Sequence, residues 1–237
     1  MVATCTNEFI FGTLIETRAR NVQGSSYSTY LLHAVSSLIV GMTASARYHA
    51  KAALRKELKR RLANMADCDR ERESNGVTQK VLELKEFSAS RRVSLYLNMK
   101  EEVHTSAIMK HVLETGKECF IPQYIGTVMK MVKLNSLADY EALPETKWKI
   151  KQPADDDHRP DALETGGLDL ILMPGLGFTR AGDRIGRGKG YYDSYLSKCE
   201  ANGCKPVTVA LAYREQICDE IPVTQNDKKV DHVIYLE

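Results

Sequence analysis

Residues 168–196, LDLILMPGLGFTRAGDRIGRGKGYYDSYL, decide the fold of this chain. Residues 168–173 form an apolar run that ends at Pro174, which predicts a short strand buried on both faces with a turn at its carboxyl end. Apolar and aromatic residues then recur at helical spacing up to Leu196, so we expect a helix that begins near Gly190. The stretch therefore predicts a strand, a loop and a helix, with the loop at the carboxyl edge of a sheet.

The loop between this strand and this helix alternates glycines with cations. Glycines expose backbone N–H groups and allow positive φ, and the cations add fixed charge at the same place. The positive end of the predicted helix also points back into the loop. This combination suits a polyphosphate. The glycines are Gly175, Gly177, Gly182, Gly186, Gly188 and Gly190, and the cations are Arg180, Arg184, Arg187 and Lys189.

Asp193 falls in the first turn of the predicted helix, where the helix dipole stabilises a carboxylate. A carboxylate is, however, poorly placed to contact phosphate oxygens directly, because both groups are negatively charged. A magnesium ion between the two would resolve that conflict. The loop is not a Walker loop, because Asp183 stands five residues before Gly188 and Gly190 replaces the Ser or Thr after the lysine. The two-by-two spacing from Gly186 onward also excludes a dinucleotide fingerprint. On residue chemistry alone, a flexible basic surface loop remains the alternative.

Residues 174–196, PGLGFTRAGDRIGRGKGYYDSYL, resemble the signature of the 5-formyltetrahydrofolate cyclo-ligase family, also called methenyltetrahydrofolate synthetase. The match is long and ordered, and is therefore specific. The resemblance covers about residues 50–235. It implies a single-domain, three-layer α/β/α sandwich with a Rossmann-like, mainly parallel sheet. The implied activity is ATP-dependent conversion of 5-formyltetrahydrofolate to 5,10-methenyltetrahydrofolate through phosphorylation of the formyl oxygen, with release of ADP and phosphate.

The same resemblance implies the site residues, with ATP and Mg²⁺ as cofactors. Arg187 and Lys189 are the expected catalytic residues, because phosphoryl transfer needs charge neutralisation more than a covalent protein group. Asp193 and Asp227 are the expected metal contacts, with Asp231 in reserve. The expected nucleotide-binding residues are Lys51, Arg55, Arg184, Gly186, Arg187, Gly188, Lys189, Gly190, Tyr191 and Tyr192. The expected folate-binding residues are Leu97, Glu102, Arg187, Gly188, Lys189, Gly190 and Tyr191, with Met99 as a pocket wall.

Residues 44–65 carry leucines at helical spacing and predict an amphipathic helix. Lys51, Arg55 and Lys59 lie four apart on a neighbouring stripe, where two cations one turn apart can grip one anion. A solvated basic face is the more common outcome of such spacing. The segment HAKAALRKELKRRL resembles the family's first helix, and by that match Lys51 and Arg55 are carried over and Lys59 is not.

The remaining patterns predict an α/β fold with a mainly parallel sheet between helical layers. We expect a second helix, capped by Asp67 or Asp69, that runs to about Phe87, and a strand over residues 118–121 that Pro122 stops. Further helix is expected at residues 105–115, and further strands at residues 93–97, 129–134, 207–212 and 233–236.

Three other groups of residues are weaker candidates. Glu101 and Glu102 follow a predicted strand end, where carboxylates could accept hydrogen bonds from a pterin, and spacing does not separate the two. Tyr124 and Trp148 could stack on a flat heterocycle, although core packing is the alternative. Residues 155–157 are three aspartates that look like a weak metal cluster, but a solvated loop explains them better.

Charge and cysteine content limit the possible partners and compartments. The 237 residues contain 33 basic and 31 acidic side chains, so no global field favours nucleic acid. Six cysteines without a C-x-x-C pair suit reduced thiols in the cytoplasm. The expected partner is a reduced folate, possibly polyglutamylated, with no nucleic acid and no membrane, bound by a monomer.

Residues 1–49 differ from the rest in being rich in Ser, Thr and Ala and poor in acids. We expect an amino-terminal extension here, disordered or serving as a targeting segment, followed by a cyclo-ligase domain over residues 50–237. A mitochondrial transit segment fits the composition, so a mitochondrial location is the alternative to the cytoplasm.

Two rival functions belong to other classes. A non-catalytic RNA-binding relative could use the basic helix and the glycine-arginine loop, but Glu102, Asp193 and Asp227 would then lack a purpose. A sugar-phosphate isomerase or coenzyme A transferase could use a similar sheet, but neither needs ATP or magnesium.

Overall fold

A central parallel sheet with helices on both faces is assembled from elements that follow the hydrophobic pattern of the sequence. The computed structural model describes residues 43–146 and 150–237. The helices in these residues are α1 (Ala44–Asn64), α2 (Asp67–Leu82), α3 (Lys85–Ala89), α4 (Ser106–Glu114), α5 (Leu137–Ala142) and α6 (Tyr191–Ala201). The strands are β1 (Arg92–Ser94), β2 (Glu118–Ile125), β3 (Val128–Leu134), β4 (Leu170–Met173), β5 (Gly177–Thr179), β6 (Arg184–Ile185), β7 (Val207–Leu211), β8 (Ile217–Cys218) and β9 (His232–Ile234).

The six-stranded sheet has the order β3-β2-β1-β4-β7-β9. All neighbouring pairs are parallel except β2 and β3, which form an antiparallel hairpin. The chain adds strands to one side of β1 and then returns to place β4 on the other side. The order therefore reverses between β1 and β4, and open α/β sheets hold ligands in the crevice at such a point.

Alternation of side chains along the strands creates two hydrophobic clusters, one on each face of the sheet. Helices α1 to α4 cover one face, and α6 covers the other. The first cluster includes Leu58, Val77, Phe87, Val93, Ile108, Leu172 and Val209. The second cluster includes Ile171, Met173, Tyr195, Leu196, Cys199 and Ala210. This arrangement confirms the predicted three-layer α/β fold.

A smaller sheet of three strands, in the order β6-β5-β8, was not predicted. Strands β5 and β6 lie within the stretch expected to be a glycine-rich loop, and β8 pairs in parallel with β5. We call the segment from residue 174 to residue 190 the glycine loop. Strand pairing of β5 with β6 and β8 therefore fixes part of its backbone before it reaches α6.

Two local predictions were wrong. Pro122 does not stop a strand, because β2 continues through it and Pro122 pairs with Met131 on β3. The Phe120 carbonyl accepts a hydrogen bond from the Leu95 N–H, on the β1 side of β2. The backbone nitrogen of Pro122, two residues later, faces the same side. Because β1 ends at Ser94, no strand hydrogen bond is lost there through the missing N–H.

The second wrong prediction concerns the cap of the second helix. The cap of α2 is Ala66, without a side-chain hydrogen bond, and the Asp67 carboxylate instead accepts a hydrogen bond from Arg70. The helix also ends at Leu82 rather than near Phe87, because Leu84 adopts an extended backbone before α3.

Residues Ala46–Glu237 form one compact unit. No helix in the two described ranges combines the length and apolar character that crossing a membrane requires.

Candidate active site

A cavity of about 770 Å³ opens at the carboxyl edge of the sheet, between the loops that follow β1 and β4. The residues that the resemblance assigns to the nucleotide, the folate and the metal all line this cavity, apart from the reserve residue Asp231. The glycine loop and α6 contribute Arg184, Gly186, Arg187, Gly188, Lys189, Gly190, Tyr191, Tyr192 and Asp193. The other elements contribute Lys51, Arg55, Leu97, Met99, Glu102, Tyr124 and Asp227. Residues distant in sequence therefore meet at the point where the strand order reverses.

The glycine loop enters α6 through two glycines with left-handed backbone. Gly188 has φ of 101° and Gly190, the residue that caps α6, has φ of 69°. A side chain at either position would strain the backbone, so glycine permits the turn that brings the loop onto the helix terminus. The first turn of α6 thus faces the cavity, where its unpaired N–H groups favour an anion.

Helix α1 holds the glycine loop from the opposite side. The Arg55 guanidinium donates from Nε to the Gly186 carbonyl at 2.9 Å. It also lies beside Gly188, since a Cβ built there would be 3.6 Å from Arg55 Cζ. Arg55 therefore does two things: it places positive charge in the cavity and it fixes the backbone of the loop.

Two carboxylates on the cavity wall are paired with cations. Both carboxylate oxygens of Asp193 accept hydrogen bonds of 2.9 Å from Nη2 of the buried Arg184. Asp193 Oδ1 also accepts a hydrogen bond of 3.1 Å from the Lys228 N–H. Lys51 Nζ lies 2.6 Å from Asp227 Oδ2. Because Lys228 directly follows Asp227, the two aspartates are neighbours in space.

The ionisation of Asp227 is set by opposing effects. Burial raises the pKa of this carboxyl, but hydrogen bonds from Lys51 and from Thr224 lower it more, so the net pKa is below its usual value. Asp227 is therefore an anion at neutral pH, held beside the cations of the cavity.

Across the cavity, Glu102 is the main polar group. Its side chain is 12% exposed and accepts a hydrogen bond from the Met99 N–H at 3.0 Å. Burial raises the pKa of Glu102, and this outweighs the lowering effects of the Met99 N–H and of Arg187. The structure distinguishes the two glutamates, which spacing alone does not: Glu102 lines the cavity, whereas Glu101 is 43% exposed and lies 3.6 Å from Arg187.

Aromatic rings complete this wall. The rings of Tyr124 and Tyr191 lie 4.9 Å apart at 57°. The Tyr191 hydroxyl donates to the Gly126 carbonyl at 2.9 Å, which ties the start of α6 to the tip of the β2–β3 hairpin. Burial raises the pKa of Tyr124 to about 12, so its hydroxyl stays protonated at neutral pH. Trp148, the other aromatic candidate, lies outside the described residues.

Some candidate residues are placed elsewhere. The Asp231 carboxylate accepts from the Thr208 N–H and hydroxyl at 2.8 and 2.7 Å, and so fixes the turn before β9. Lys59 is exposed and does not line the cavity. The last of the three aspartates, Asp157, pairs with Arg159 at 2.8 Å. In the described ranges, no group of three His, Cys, Asp or Glu side chains could hold a metal ion.

The cavity also has lining residues that the sequence did not reveal. Ile150, Lys151 and Gln152, in the loop that precedes the three aspartates, and Gly175 line the cavity, although none of them is among the expected nucleotide or folate contacts. The Gln152 amide donates to the Tyr124 carbonyl at 3.3 Å, which holds this loop against β2. Their position in the cavity depends on how the loop folds over the sheet, which residue spacing does not show.

Comparison with known proteins agrees with this architecture. The model of the 5-formyltetrahydrofolate cyclo-ligase family matches residues 47–236. A 5-formyltetrahydrofolate cyclo-ligase of Mus musculus is 49% identical over 189 residues, which cover 78% of this chain and 93% of that protein. A probable 5-formyltetrahydrofolate cyclo-ligase of Caenorhabditis elegans is 38% identical over 195 residues, covering 81% and 95% of the two chains.

A solved structure shows the same fold. The NMR structure of Aquifex aeolicus 5,10-methenyltetrahydrofolate synthetase matches with a TM-score of 0.65 and 30% identity, over 78% of this chain and 88% of that chain. The family match spans the central sheet, the glycine loop and both walls of the cavity. The chain therefore belongs to the 5-formyltetrahydrofolate cyclo-ligase family.

Proposed function

We propose that this protein converts 5-formyltetrahydrofolate to 5,10-methenyltetrahydrofolate at the expense of ATP. The observation that carries the proposal is the division of one cavity into two unlike walls. One wall combines glycines, cations and the amino terminus of α6, and the other combines the buried Glu102 with two tyrosines. The first suits a triphosphate and the second suits a flat heterocycle with N–H donors.

The chemistry explains why both ligands must share the cavity. The γ-phosphoryl group of ATP passes to the formyl oxygen, giving ADP and a formyl group activated as its phosphate ester. Nitrogen 10 of the folate attacks the formyl carbon and loses its proton. The carbon–oxygen bond then breaks and inorganic phosphate departs with that oxygen. No covalent bond to the protein is needed, so catalysis depends on positioning and charge neutralisation.

The residues present fit a triphosphate. Lys189 and Arg187 extend from the glycine loop into the cavity, and Lys51 and Arg55 approach from α1. The role of Arg187 and Lys189 in this proposal is to neutralise the charge that develops on the transferred group. Tyr192, buried behind the first turn of α6, would support the nucleotide wall from within.

Magnesium fits the donor set only together with a nucleotide. Mg²⁺ is commonly held by one or two carboxylates plus phosphate oxygens, and Asp193 and Asp227 each contribute a carboxylate to the cavity lining. When bound, the ion would neutralise phosphate charge and orient the phosphates. Arg184 and Lys51 hold these carboxylates at the cavity wall.

The folate wall is formed by groups of matching chemistry. In the proposed complex the Glu102 carboxylate accepts hydrogen bonds from the pterin, while Leu97, Met99 and Tyr191 provide apolar and aromatic surface. The ligand is placed against the same loop that binds phosphate, which brings the formyl oxygen towards the γ-phosphoryl group.

The test is to follow absorbance in the methenyl product band with the purified full-length protein and 5-formyltetrahydrofolate. We expect product only with both ATP and Mg²⁺, with one ADP and one phosphate formed per methenyl group. Product without nucleotide would contradict the phosphorylation route. No product with nucleotide, together with retention of RNA in a filter-binding assay over a salt series, would favour the RNA-binding alternative.

A further inference from the structure

The turn after β7 crosses the carboxyl edge of the sheet and contacts both walls of the cavity. Two of its polar side chains are buried: Tyr213 is 0% exposed and Gln216 is 1% exposed. Burial of polar groups is unfavourable unless each finds a hydrogen-bond partner. The partners of these two side chains are the loops that follow β1 and β4, the two strands between which the sheet order reverses.

Tyr213 is part of a continuous chain of hydrogen bonds that ends at Glu102. Its hydroxyl donates to the Glu102 carbonyl at 2.8 Å and lies 3.2 Å from Ser74 Oγ. Because the phenol has a single proton and a carbonyl cannot donate, the Ser74 hydroxyl must donate to the phenol oxygen. Ser74 Oγ in turn accepts from the His104 N–H at 3.1 Å. The backbone on both sides of residue 103 is thereby held to α2 and to the turn.

Gln216 makes the equivalent connection to the other wall. Its Nε2 donates to the Gly175 carbonyl at 2.7 Å, and its Oε1 accepts from the Tyr213 N–H at 2.8 Å. The next residue, Leu176, donates its N–H to the Ile185 carbonyl at 2.8 Å, immediately before Gly186. Gln216 therefore fixes the floor from which the phosphate-facing part of the glycine loop rises.

We propose that Tyr213 and Gln216 are positioning residues, each of which holds a different one of the two substrate walls. Tyr213 fixes the backbone that carries Glu102 and so determines folate affinity. Gln216 fixes Gly175 and the base of the glycine loop and so determines nucleotide affinity. This inference rests on the proposed function, since it assigns the two walls to those two substrates.

The test compares Michaelis constants for the two substrates in three variants of the full-length protein. For Tyr213→Phe we expect the KM for 5-formyltetrahydrofolate to rise about tenfold, because the variant loses the buried hydrogen bonds to the Glu102 carbonyl and Ser74. The KM for ATP should stay within about twofold of wild type. Ser74→Ala should shift the same constant in the same direction. Gln216→Met should show the opposite split, with the ATP constant raised about tenfold.

Tyr195→Phe is the matched control. Tyr195 is 1% exposed, and within the described residues its hydroxyl has no hydrogen-bond partner, so the variant removes a buried phenol oxygen without removing a bond. We expect unchanged kinetic constants. Thermal unfolding of each variant shows how far stability alone accounts for any change.

The outcomes separate this inference from the proposed function. Wild-type turnover combined with equal rises in both constants, or with no rise beyond that of Tyr195→Phe, overturns the positioning roles and leaves the proposed reaction intact. If Gln216→Met does not fold, the difference between the KM changes for 5-formyltetrahydrofolate and for ATP in Tyr213→Phe and Ser74→Ala still tests the positioning role of Tyr213. Absence of ATP-dependent product from the wild type overturns the reaction and this inference together.

Discussion

The cationic side chains that line the cavity differ in the ion pairs and hydrogen bonds that they already make within the protein. Arg184 and Lys51 are paired with aspartates, and Arg55 with the Gly186 carbonyl. Arg187 lies 3.5 Å from Glu102. Lys189 lines the cavity, and within residues 43–146 and 150–237 its side chain has neither an ion pair nor a hydrogen bond. Its charge is therefore fully available to a ligand.

This difference makes Lys189→Ala the most direct test of the glycine loop. We expect a loss of about 2 to 4 kcal/mol of transition-state stabilisation, the range for removing one electrostatic contact at a developing charge. The measurement is kcat/KM from the methenyl absorbance assay. The free energy of unfolding should stay unchanged, because no partner is left unpaired.

Lys198→Ala is the control for Lys189→Ala. Lys198 is exposed on the last turn of α6 and does not line the cavity. The control should retain wild-type kinetics. Activity of Lys189→Ala within about twofold of the control would refute the catalytic role, because that role requires a loss of about thirtyfold or more.

The sequence predicts which residues form this site better than it predicts the hydrogen bonds and ion pairs that those residues make. Arg184 and Asp193 were both identified from the sequence, but as a phosphate ligand and a metal ligand. Their mutual pairing depends on β6 lying against the first turn of α6, which no local pattern encodes. Hydrogen bonds such as that of Tyr213 to Glu102, 111 residues apart, are likewise invisible until the strands are ordered.

At the element scale, prediction succeeded where a pattern was long enough to show a period. Helix α1 and the buried strands β4 and β7 appear where the sequence placed them. Strands β5, β6 and β8 contain only two or three residues each, so no alternation could mark them. They exist because their backbones pair with one another, which is a long-range effect.

The junction of the glycine loop with α6 gives an element-scale prediction. Gly190 has φ of 69° and a Cβ built there would meet nothing within 4 Å. Gly190→Ala should therefore cost about 1 to 2 kcal/mol of unfolding free energy from backbone strain alone. We also expect weaker binding of Mg²⁺-ADP, because the strain shifts the N–H groups that face the cavity. Chemical denaturation and calorimetric titration measure the two effects.

Gly203 provides a matched control at the other end of the same helix. It has φ of 71° and its built Cβ likewise meets nothing within 4 Å. Gly203→Ala should lose similar stability but keep wild-type affinity for Mg²⁺-ADP, since it lies outside the cavity. Equal loss of nucleotide affinity in both variants would show that general destabilisation, rather than the loop junction, is responsible.

At the scale of the whole molecule, the site follows from the order of the strands. The loops after β1 and β4 face each other because the strand order reverses between these two parallel strands. The sequence predicted both loops and a parallel sheet. The order of the strands in the sheet could not be predicted. Neighbouring strands such as β1 and β4 are separated by about seventy-five residues, and no local sequence pattern indicates that they pair.

The extent of the folded unit is the last prediction. The family match covers residues 47–236, and residues Ala46–Glu237 contain both hydrophobic clusters and the cavity. A variant that lacks residues 1–42 should therefore keep its unfolding temperature within about 2 °C, a change of less than about 1 kcal/mol. Its kcat/KM should stay within about twofold of the full chain, because every lining residue found in the described ranges is retained.

A deeper deletion shows that the assay can detect a loss. Removal of residues 1–56 also takes away Lys51, Arg55 and half of α1, so nucleotide affinity should fall at least a hundredfold, as expected when two charged contacts are lost. A tenfold or greater fall in kcat/KM on removing residues 1–42 alone would contradict the prediction. It would mean that the amino-terminal extension contributes to the site, and that the catalytic unit begins before α1.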